Sequence, residues 1–559
     1  MRHRLRRNRD KAPVSRVAQN PPILPARPAS MLRGIMTVGG WTLASRVLGF
    51  ARDMLIAARL GAGPVADAFF VALRLPNLFR RLFGEGAFNA AFVPAFAGLL
   101  HAEGREAARA FAERAFALLL CGLGLVAVAG EVFMPQVIAG LAPGFTALPA
   151  KFALAVALSR ITFPYVVLIC LAALVSGLLN GLDRFTAASA SYVLFNVVAI
   201  AALLWLTPYV PTAGHALAWG VTASGVAQLG VLLVAARRAG MGLRLRLPRI
   251  TPDMRLLWRR MAPGLVGAGV TQLNLAVDVI IASLLPAGTV SVLYYADRVQ
   301  QLPLGVLGAA VGTAMLPLLS RQVRAGEAAA AEETQNRAIE YALFLTLPAA
   351  LALIVAAEPI ISVLFGRGRF GPGSVALSAQ ALAAYAIGLP AFVLVKVLAP
   401  GFFARGDTAT PVKIGAAAVA LNLALNLAFM HPLQQMGPAL ATSLAAMFNM
   451  GALGAVLARR GQLRLDAALR RRAPRMALAA LAMAMVVAAA RYGLAGALDQ
   501  RGVLRWLALG ALVASGIAAY FAALPLTGAY SVREALRRLR PRGLRPPAGS
   551  SITPSSPDH

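Results

Sequence analysis

Charged residues lie inside two stretches of the sequence that are otherwise apolar. The first stretch, SRVLGFARD (45–53), holds Arg46, Arg52 and Asp53, and the second runs from Asp67 to Gly86. An arginine at the centre of a membrane helix costs about 2.5–3.5 kcal/mol on insertion scales. Such side chains must therefore face a wet cavity, pair with carboxylates or extend to a membrane surface.

Helical spacing places several of these charges on shared faces. Residues seven apart lie on one face of a helix, which applies to Arg46 and Asp53. The second stretch has the same step, at Asp67, Arg74 and Arg81. Its other polar candidates are Asn77, Arg80 and Glu85. Comparable charges in the second half of the chain are Asp278, Asp297, Arg298 and Lys396.

The sign of these charges indicates what they could bind. Arginines close by in the sequence predict ion pairs for four acids, namely Asp53, Asp67, Glu85 and Asp297. Arg80 and Arg81 could instead extend to a membrane face. A binding role is favoured for Arg46, Arg52, Arg298 and Lys396. More guanidinium is present than local pairing needs, and planar guanidinium suits phosphate, so we predict an anionic guest.

The elements that carry these charges are membrane helices. Hydrophobic residues make up 59% of the 559 residues and mean hydropathy is +0.70, whereas soluble domains are about half apolar. An apolar run of about 20 residues can span a bilayer, and the apolar runs together predict about 14 spans. Because lipid offers the backbone no hydrogen-bond partners, these spans should be helices. The predicted fold is an all-α, polytopic membrane protein.

The distribution of basic residues predicts topology. The net charge is +32, and the arginines concentrate in four segments between or beyond the apolar runs, 1–33, 237–260, 459–475 and 533–545. The intervening loops 134–149, 208–214 and 285–288 carry no charge. By the positive-inside rule the basic segments and both termini are cytoplasmic. This topology accounts for the basic composition without a nucleic-acid partner.

A weak internal repeat relates two halves of the chain. Asp53-Met-Leu-Ile-Ala resembles Asp278-Val-Ile-Ile-Ala, and Phe163-Pro164 resembles Leu389-Pro390, at offsets of 225 and 226. Six such matches in order predict two parallel-repeat six-helix bundles with a cavity between them, plus two C-terminal helices. The predicted domains are a disordered tail (1–32), an N-terminal bundle (33–238), a linker (239–260), a C-terminal bundle (261–460), two additional helices (461–527) and a basic tail (528–559).

Other chemistry finds little support in the sequence. The five histidines are scattered and the two cysteines lie within apolar runs, so neither a metal site nor a catalytic constellation is predicted. The pattern GxGxxG at 366–371 follows an apolar span and precedes a proline, which argues against a dinucleotide site. We expect no cofactor, and no enzymatic activity.

Long motifs in the sequence are similar to those of one family. The stretches SRVLGFARD (45–53), LPNLFRRLFGEGAF (75–88), YYADRV (294–299) and KVLAPGFFARGDTATPVKI (396–414) resemble the MurJ (MviN) family of proposed lipid II flippases. The resemblance covers about 33–525. It implies a central cavity that opens alternately to the cytoplasm and periplasm. It also implies that Arg46, Arg52, Arg80 and Arg298 bind the lipid II diphosphate, with Asp53, Asp67 and Lys396 in support.

The resemblance also implies partners and a location. We expect a monomer in the bacterial inner membrane, with lipid II as substrate, membrane lipids around it and cell-wall synthesis enzymes as candidate partners. A flippase for another polyprenyl-diphosphate oligosaccharide remains an alternative, because it would also use arginines to bind a negatively charged diphosphate. A membrane-embedded cell-wall enzyme would need carboxylate or histidine constellations at a membrane face. A cation antiporter would need acidic cavity helices, because its cargo is positively charged. A channel is disfavoured because the clustered arginines would trap ions and not let them pass.

Overall fold

The computed structural model describes residues 28–81, 87–500 and 502–530. Within these ranges the chain forms α-helices joined by turns and, between 239 and 251, by a longer non-helical linker, and no strand occurs. The helices are α1 (Pro28–Leu60), α2 (Pro64–Phe79), α3 (Ala87–Ala102), α4 (Gly104–Val132), α5 (Met134–Leu141), α6 (Pro149–Thr162), α7 (Tyr165–Gly181), α8 (Phe185–Ala201), α9 (Ala213–Arg238), α10 (Pro252–Leu284), α11 (Thr289–Arg324), α12 (Ala328–Val355), α13 (Ala357–Phe365), α14 (Pro372–Ile387), α15 (Leu389–Phe403), α16 (Ala409–Phe429), α17 (Met436–Arg459), α18 (Ala467–Gly493), α19 (Ala495–Leu498) and α20 (Val503–Leu526).

The lengths and composition of these helices match a bilayer. In the described part of the chain, ten helical segments are long and apolar enough to cross a membrane. The all-α, polytopic fold predicted from hydropathy is therefore confirmed. The estimate of about 14 crossings stays a prediction. So do the domain boundaries, and α1 already begins at Pro28, ahead of the boundary drawn at residue 33.

Two of the spans are interrupted at repeat-related positions. α6 gives way to α7 at Phe163–Pro164, and α14 gives way to α15 next to Pro390. Proline lacks an N–H group and its ring crowds the preceding turn, so it breaks the helical hydrogen-bond ladder. The matching breaks follow the offset that the sequence repeat indicated.

Helix contacts show how the two halves of the chain are joined. In the first half, α1 packs on α8, and α9 packs on both α7 and α8. In the second half, α11 packs on α14 and α15, while α16 packs on α17. Two contacts join the halves. α10, which the repeat assigns to the second half, lies along α3 of the first half, and α2 of the first half contacts α11 of the second. The final helices α18 and α20 pack on each other, and α18 also packs on α12.

One buried glutamate in each half fastens the segment that follows that half. Glu113 on α4 is fully buried and pairs with Arg109 Nε at 3.0 Å and with Arg246 Nε, in the linker after α9, at 2.5 Å. Glu340 on α12, likewise fully buried, pairs with Arg472 Nη1 of α18 at 3.0 Å. The two glutamates lie 227 positions apart (340 − 113), close to the repeat offset. We call these contacts the glutamate clasps.

Candidate functional site

The centre of the site is the buried carboxylate of Asp53 on α1, which lies between two arginines. Arg52 donates to Asp53 Oδ1 from Nε at 3.2 Å and from Nη2 at 2.8 Å. Nε of Arg298, on α11, lies 3.3 Å from Oδ2 of the same carboxylate. The hydroxyl of Tyr294 donates to Oδ1 at 3.2 Å. Two guanidiniums thus share one carboxylate, which leaves a surplus positive charge where the two halves of the chain meet.

Neighbouring side chains hold both guanidiniums in place. Nη1 of Arg52 donates to Asn196 Oδ1 at 3.0 Å, and its guanidinium carbon lies 5.3 Å from the centre of the Phe195 ring. The guanidinium of Arg298 lies 4.7 Å from the Tyr294 ring. Aromatic faces attract cations, so these contacts fix the orientation of the arginines without neutralising them.

The approach of α8 to α1 explains why Asn196 reaches the site. Gly49 of α1 faces the Asn196 amide, and a Cβ atom at Gly49 would lie 3.5 Å from Asn196 Oδ1. The amide also donates to the carbonyl of Ser45 at 3.1 Å. Sequence reasoning did not single out Asn196 or Phe195, because no charge or motif marks α8 as a neighbour of α1.

Arg46 adds a further positive charge at the same junction. Its side chain is exposed, and it lies against α11, since a Cβ atom at Gly305 would be 2.8 Å from Arg46 Nη1. No carboxylate of the described residues lies within ion-pair distance of Arg46. We refer to Arg46, Arg52, Asp53 and Arg298 as the arginine cluster.

A second group of predicted residues lies between α2, α10 and α11. Arg74 of α2 interacts electrostatically with Asp278 and Asp297. Asp297 Oδ2 accepts a hydrogen bond from Gln301 Nε2 at 2.5 Å. Asp297 thus lies within electrostatic range of Arg74 on another helix as well as of its sequence neighbour Arg298, and its predicted ion pair stays a prediction.

The remaining candidates of α2 extend the basic character of the junction. Arg81 interacts electrostatically with Asp297, and Arg80 with Tyr165 of α7. Asn77 is half-buried on α2. Lys396 is exposed on α15, and Glu85 lies outside the described residues.

The structure corrects the expected partner of Asp67. Its Oδ2 atom pairs with Nζ of Lys151, on α6, at 2.7 Å and accepts the Gly288 N–H at 2.7 Å. Its Oδ1 atom accepts from the Ser291 N–H at 2.9 Å and from the Ser291 hydroxyl at 2.8 Å. Arg74, the arginine on the same helical face, is about 10 Å further along the helix because seven residues rise about 1.5 Å each. The expected arginine partner is therefore wrong, and the lysine of a different helix takes its place.

Hydrogen bonds to backbone carbonyls near Asp67 join the helices at this end of the junction. The N–H of Arg369 donates to the Ala58 carbonyl at 2.9 Å, and the Tyr295 hydroxyl donates to the Gly61 carbonyl at 3.3 Å. Gly61 has φ +69 and Gly288 has φ +100, values that glycine adopts without steric cost. These contacts, with Asp67 and its partners, form what we call the outer closure. It lies at the opposite end of the helices from the basic segments.

The fold and the charge distribution define a multi-pass helical membrane protein whose two repeat-related halves meet at a positively charged junction. A family model described as lipid II flippase MurJ matches residues 56–508. The chain therefore belongs to the MurJ family.

Known relatives and solved structures agree with this assignment. The chain is 46% identical over 499 residues to "Probable lipid II flippase MurJ" of Rhizobium meliloti (strain 1021), covering 88% of this chain and 93% of the relative. It is 37% identical over 436 residues to "Lipid II flippase MurJ" of Burkholderia cenocepacia, covering 77% and 84%. A solved structure of a lipid II flippase MurJ in an inward closed conformation superposes with TM-score 0.73 at 23% identity, over 90% of this chain and 100% of that one.

The fold is shared more widely. An inward-facing multidrug resistance transporter of the MATE family and MOP superfamily superposes with TM-score 0.62 at 14% identity. The match covers 76% of this chain and 96% of that transporter. At this identity the likeness concerns the fold alone. The family suspected from the sequence motifs is confirmed by the family model and the sequence relatives.

Proposed function

We propose that this protein is a flippase that moves lipid II from the cytoplasmic to the periplasmic leaflet, and that the arginine cluster binds the diphosphate. The observation that carries the proposal is the single carboxylate of Asp53 between Arg52 and Arg298. With Arg46 alongside, three guanidiniums face one carboxylate. Family membership and the names of the relatives supply the substrate class.

The charge and shape of the cluster suit a diphosphate. A buried arginine that is fully paired needs no ligand, but among the described residues Asp53 is the one carboxylate within ion-pair distance of these three guanidiniums. Asp297 interacts with Arg298 but is shared with Arg74 and Arg81, so positive charge remains in excess. Arginine can donate two parallel N–H groups to phosphate oxygens. The side chain of Arg298 remains 32% exposed and that of Arg46 is exposed, so both can reach a guest.

The two ends of the junction support alternating access. The outer closure is buried, with only 1% of the Asp67 side chain and 5% of the Lys151 side chain exposed. We propose that the headgroup arrives from the basic, cytoplasmic end. The bound phosphates would reduce the repulsion between Arg52 and Arg298 and let α1 approach α11. The outer closure would then open, while the polyprenyl tail stays in the lipid.

Topology and location belong to the same proposal. Both termini lie in the cytoplasm, and the protein resides in the inner membrane, where lipid II is made and used. The chain acts on its cargo by binding and release, without catalysing a reaction. We propose the predicted monomer, the two-bundle division and the supporting roles of Asp278, Asp297 and Lys396 on the same terms.

Another polyprenyl-diphosphate oligosaccharide is the second candidate cargo. The arginine cluster would bind its diphosphate in the same way, because the chemistry depends on phosphate oxygens and not on the sugar. The identity of the headgroup must therefore be measured directly.

The test is complementation of depleted cells with arginine variants. Wild type, Arg46→Ala, Arg52→Ala and Arg298→Ala would each be expressed, and lipid II exposed on the outer leaflet would be quantified. We expect wild type to restore exposure and each variant to lower it by about tenfold or more, the value of one lost charge-assisted contact. Arg59→Ala, an exposed arginine on the same helix α1, is the matched control and should behave as wild type.

Two results would contradict the proposal. Normal lipid II exposure in depleted cells would remove lipid II as the cargo and favour another polyprenyl diphosphate. Full activity in a double Arg52→Ala and Arg298→Ala variant, present in the membrane at the wild-type level, would remove the diphosphate site while leaving the flippase assignment intact.

A further inference from the structure

A groove at the end of the last two long helices carries an arginine set that the arginine cluster does not use. It is about 550 Å³ in volume and lies between the first turns of α18 and the turn that follows α20. Its lining residues are Ala468, Arg471, Arg472, Arg475, Pro525, Gly528, Ala529 and Tyr530. α18 packs on α12 and α20, which carry no member of the arginine cluster, so the groove is a separate site.

The three arginines of the groove are engaged differently. Arg472 pairs with Glu340 at 3.0 Å, and its guanidinium lies 4.8 Å from the Tyr530 ring. Arg475 Nη1 donates only to the uncharged Gly528 carbonyl, at 2.9 Å. Arg471 is exposed, and no described carboxylate forms an ion pair with Arg471 or Arg475. The groove therefore presents two unbalanced positive charges on a fixed frame.

An apolar stripe continues from these two arginines along the same helix. Leu478 follows Arg475 by three residues, Leu481 by six and Met485 by ten, so all lie near one face of α18. They are 57%, 50% and 69% exposed, respectively. Ten residues of helix rise about 15 Å, which is half of a hydrocarbon core about 30 Å thick. The stripe thus matches the depth of one leaflet, with the arginines at its cytoplasmic edge by the predicted topology.

We propose that this groove binds the phosphodiester headgroup of an anionic bilayer phospholipid, whose acyl chains lie along Leu478, Leu481 and Met485. A phosphate bound by Arg471 and Arg475 satisfies the charge, and the apolar stripe takes up the chains. Free phosphate would use only the arginines and would leave the stripe unexplained. The proposal does not depend on the cargo, because the groove lies outside the arginine cluster.

The bound lipid would also lie beside a glutamate clasp. Arg472 lines the groove and pairs with Glu340 of α12, so the headgroup lies next to the contact between α18 and α12. Basic residues near an anionic membrane surface contribute about 1 kcal/mol each to binding. Removal of two arginines should therefore weaken phospholipid binding by about tenfold to thirtyfold.

The experiment uses the full chain purified in detergent and observed by native mass spectrometry. Phosphatidylglycerol, zwitterionic phosphatidylcholine and inorganic phosphate are titrated separately against wild type and an Arg471→Gln, Arg475→Gln double variant. An Arg459→Gln, Arg470→Gln variant is the matched control, since both arginines are exposed cytoplasmic-end residues outside the groove. Wild type and control should retain phosphatidylglycerol in preference to phosphatidylcholine, and the groove variant should lose that preference. Equal thermal midpoints of unfolding without lipid show that all three chains are folded.

The outcomes separate the possible sources of the phosphate. Equal phosphatidylglycerol binding by the groove and control variants overturns the proposal. Inorganic phosphate that competes fully with phosphatidylglycerol at equal concentration also overturns it, because the acyl chains would then contribute nothing. A polyprenyl diphosphate is titrated in the same way, and if it alone loses affinity in the groove variant, the site belongs to the cargo and the phospholipid proposal fails.

Discussion

Asp53 and Asp67 are two buried aspartates at the same junction, and their surroundings differ in charge and access. Asp53 lies between two arginines, one of them 32% exposed, so its surroundings are positive and reachable. Asp67 has one lysine and three further hydrogen-bond donors, and neither member of the ion pair is more than 5% exposed. The first site has charge left over for a guest, whereas the second is complete.

The difference shows how a binding charge can be told from a structural one in a membrane protein. An ion pair that is balanced and enclosed holds helices together, because breaking it exposes a charge to a low-dielectric interior. An arginine that shares its carboxylate and keeps access to solvent retains the capacity to bind an anion. Spacing along the sequence does not distinguish the two, since Asp53 and Asp67 both have charged residues one heptad away.

The largest expected effect concerns Asp67. Asp67→Ala leaves the Lys151 ammonium buried without its partner, together with the donors of Gly288 and Ser291, and should lower the free energy of unfolding by about 3–5 kcal/mol. The measurement is the thermal midpoint of unfolding in detergent. Asp499→Ala, an exposed acid at the same end, is the control and should leave the midpoint nearly unchanged. A stable Asp67→Ala protein would mean that the outer closure does not depend on this ion pair.

A smaller effect is expected at the arginine cluster, on activity more than on stability. Arg52→Lys keeps the charge but cannot donate to Asp53 twice and to Asn196 as well, so flipping should fall by about tenfold, or roughly 1.4 kcal/mol. The free energy of unfolding should change by less than about 1 kcal/mol. Lipid II exposed on the outer leaflet gives the first quantity, with Arg59→Lys on the same helix as control. If Arg52→Lys lowered stability as much as activity, the arginine cluster would be structural like the ion pair of Asp67, and the two aspartates would not differ in role.

The smallest effect is expected for a half-buried acid, Asp407, in the turn between α15 and α16. Hydrogen bonds from Arg460 and Thr410 hold the pKa of Asp407 well below its usual value of 3.8. Its contribution to stability is therefore complete above that usual value and is lost as the pH falls toward the lowered pKa. Asp407→Asn should remove this acid-sensitive component from the pH profile of the thermal midpoint and leave flipping unchanged. An unaltered profile would show that the pair contributes nothing to stability.

The sequence predicted the all-α membrane fold and named residues that the structure brings together around Asp53. Long apolar runs specify membrane helices by length alone, whereas the helix breaks at the repeat pair Phe163-Pro164 and Leu389-Pro390 were not predicted. Arg52, Asp53 and Arg298 could be named because charges in apolar runs are costly and therefore conspicuous. Contacts between helices that are distant in the chain could not be predicted in this way.

The missed contacts share a physical cause. Asn196 reaches Arg52 because α8 packs on α1, and Lys151 reaches Asp67 because α6 packs on α2. Neither pairing leaves a periodic signal in one sequence, since helix packing depends on shape along the whole contact. The packing of α10 along α3 was missed for the same reason.

The glutamate clasps join segments that are made at different times during the synthesis of the chain. Glu113 accepts the N–H of Arg244, which the ribosome adds 131 residues later, and Glu340 meets Arg472 after a delay of 132 residues. Each buried acid already has an arginine of its own helix, Arg109 or Arg337, and gains its later partner only when the following segment has been made. The first clasp can therefore close before most of the second half has been made. Closure of the clasps in turn would fasten the segment after the first half before the matching segment after the second half is available.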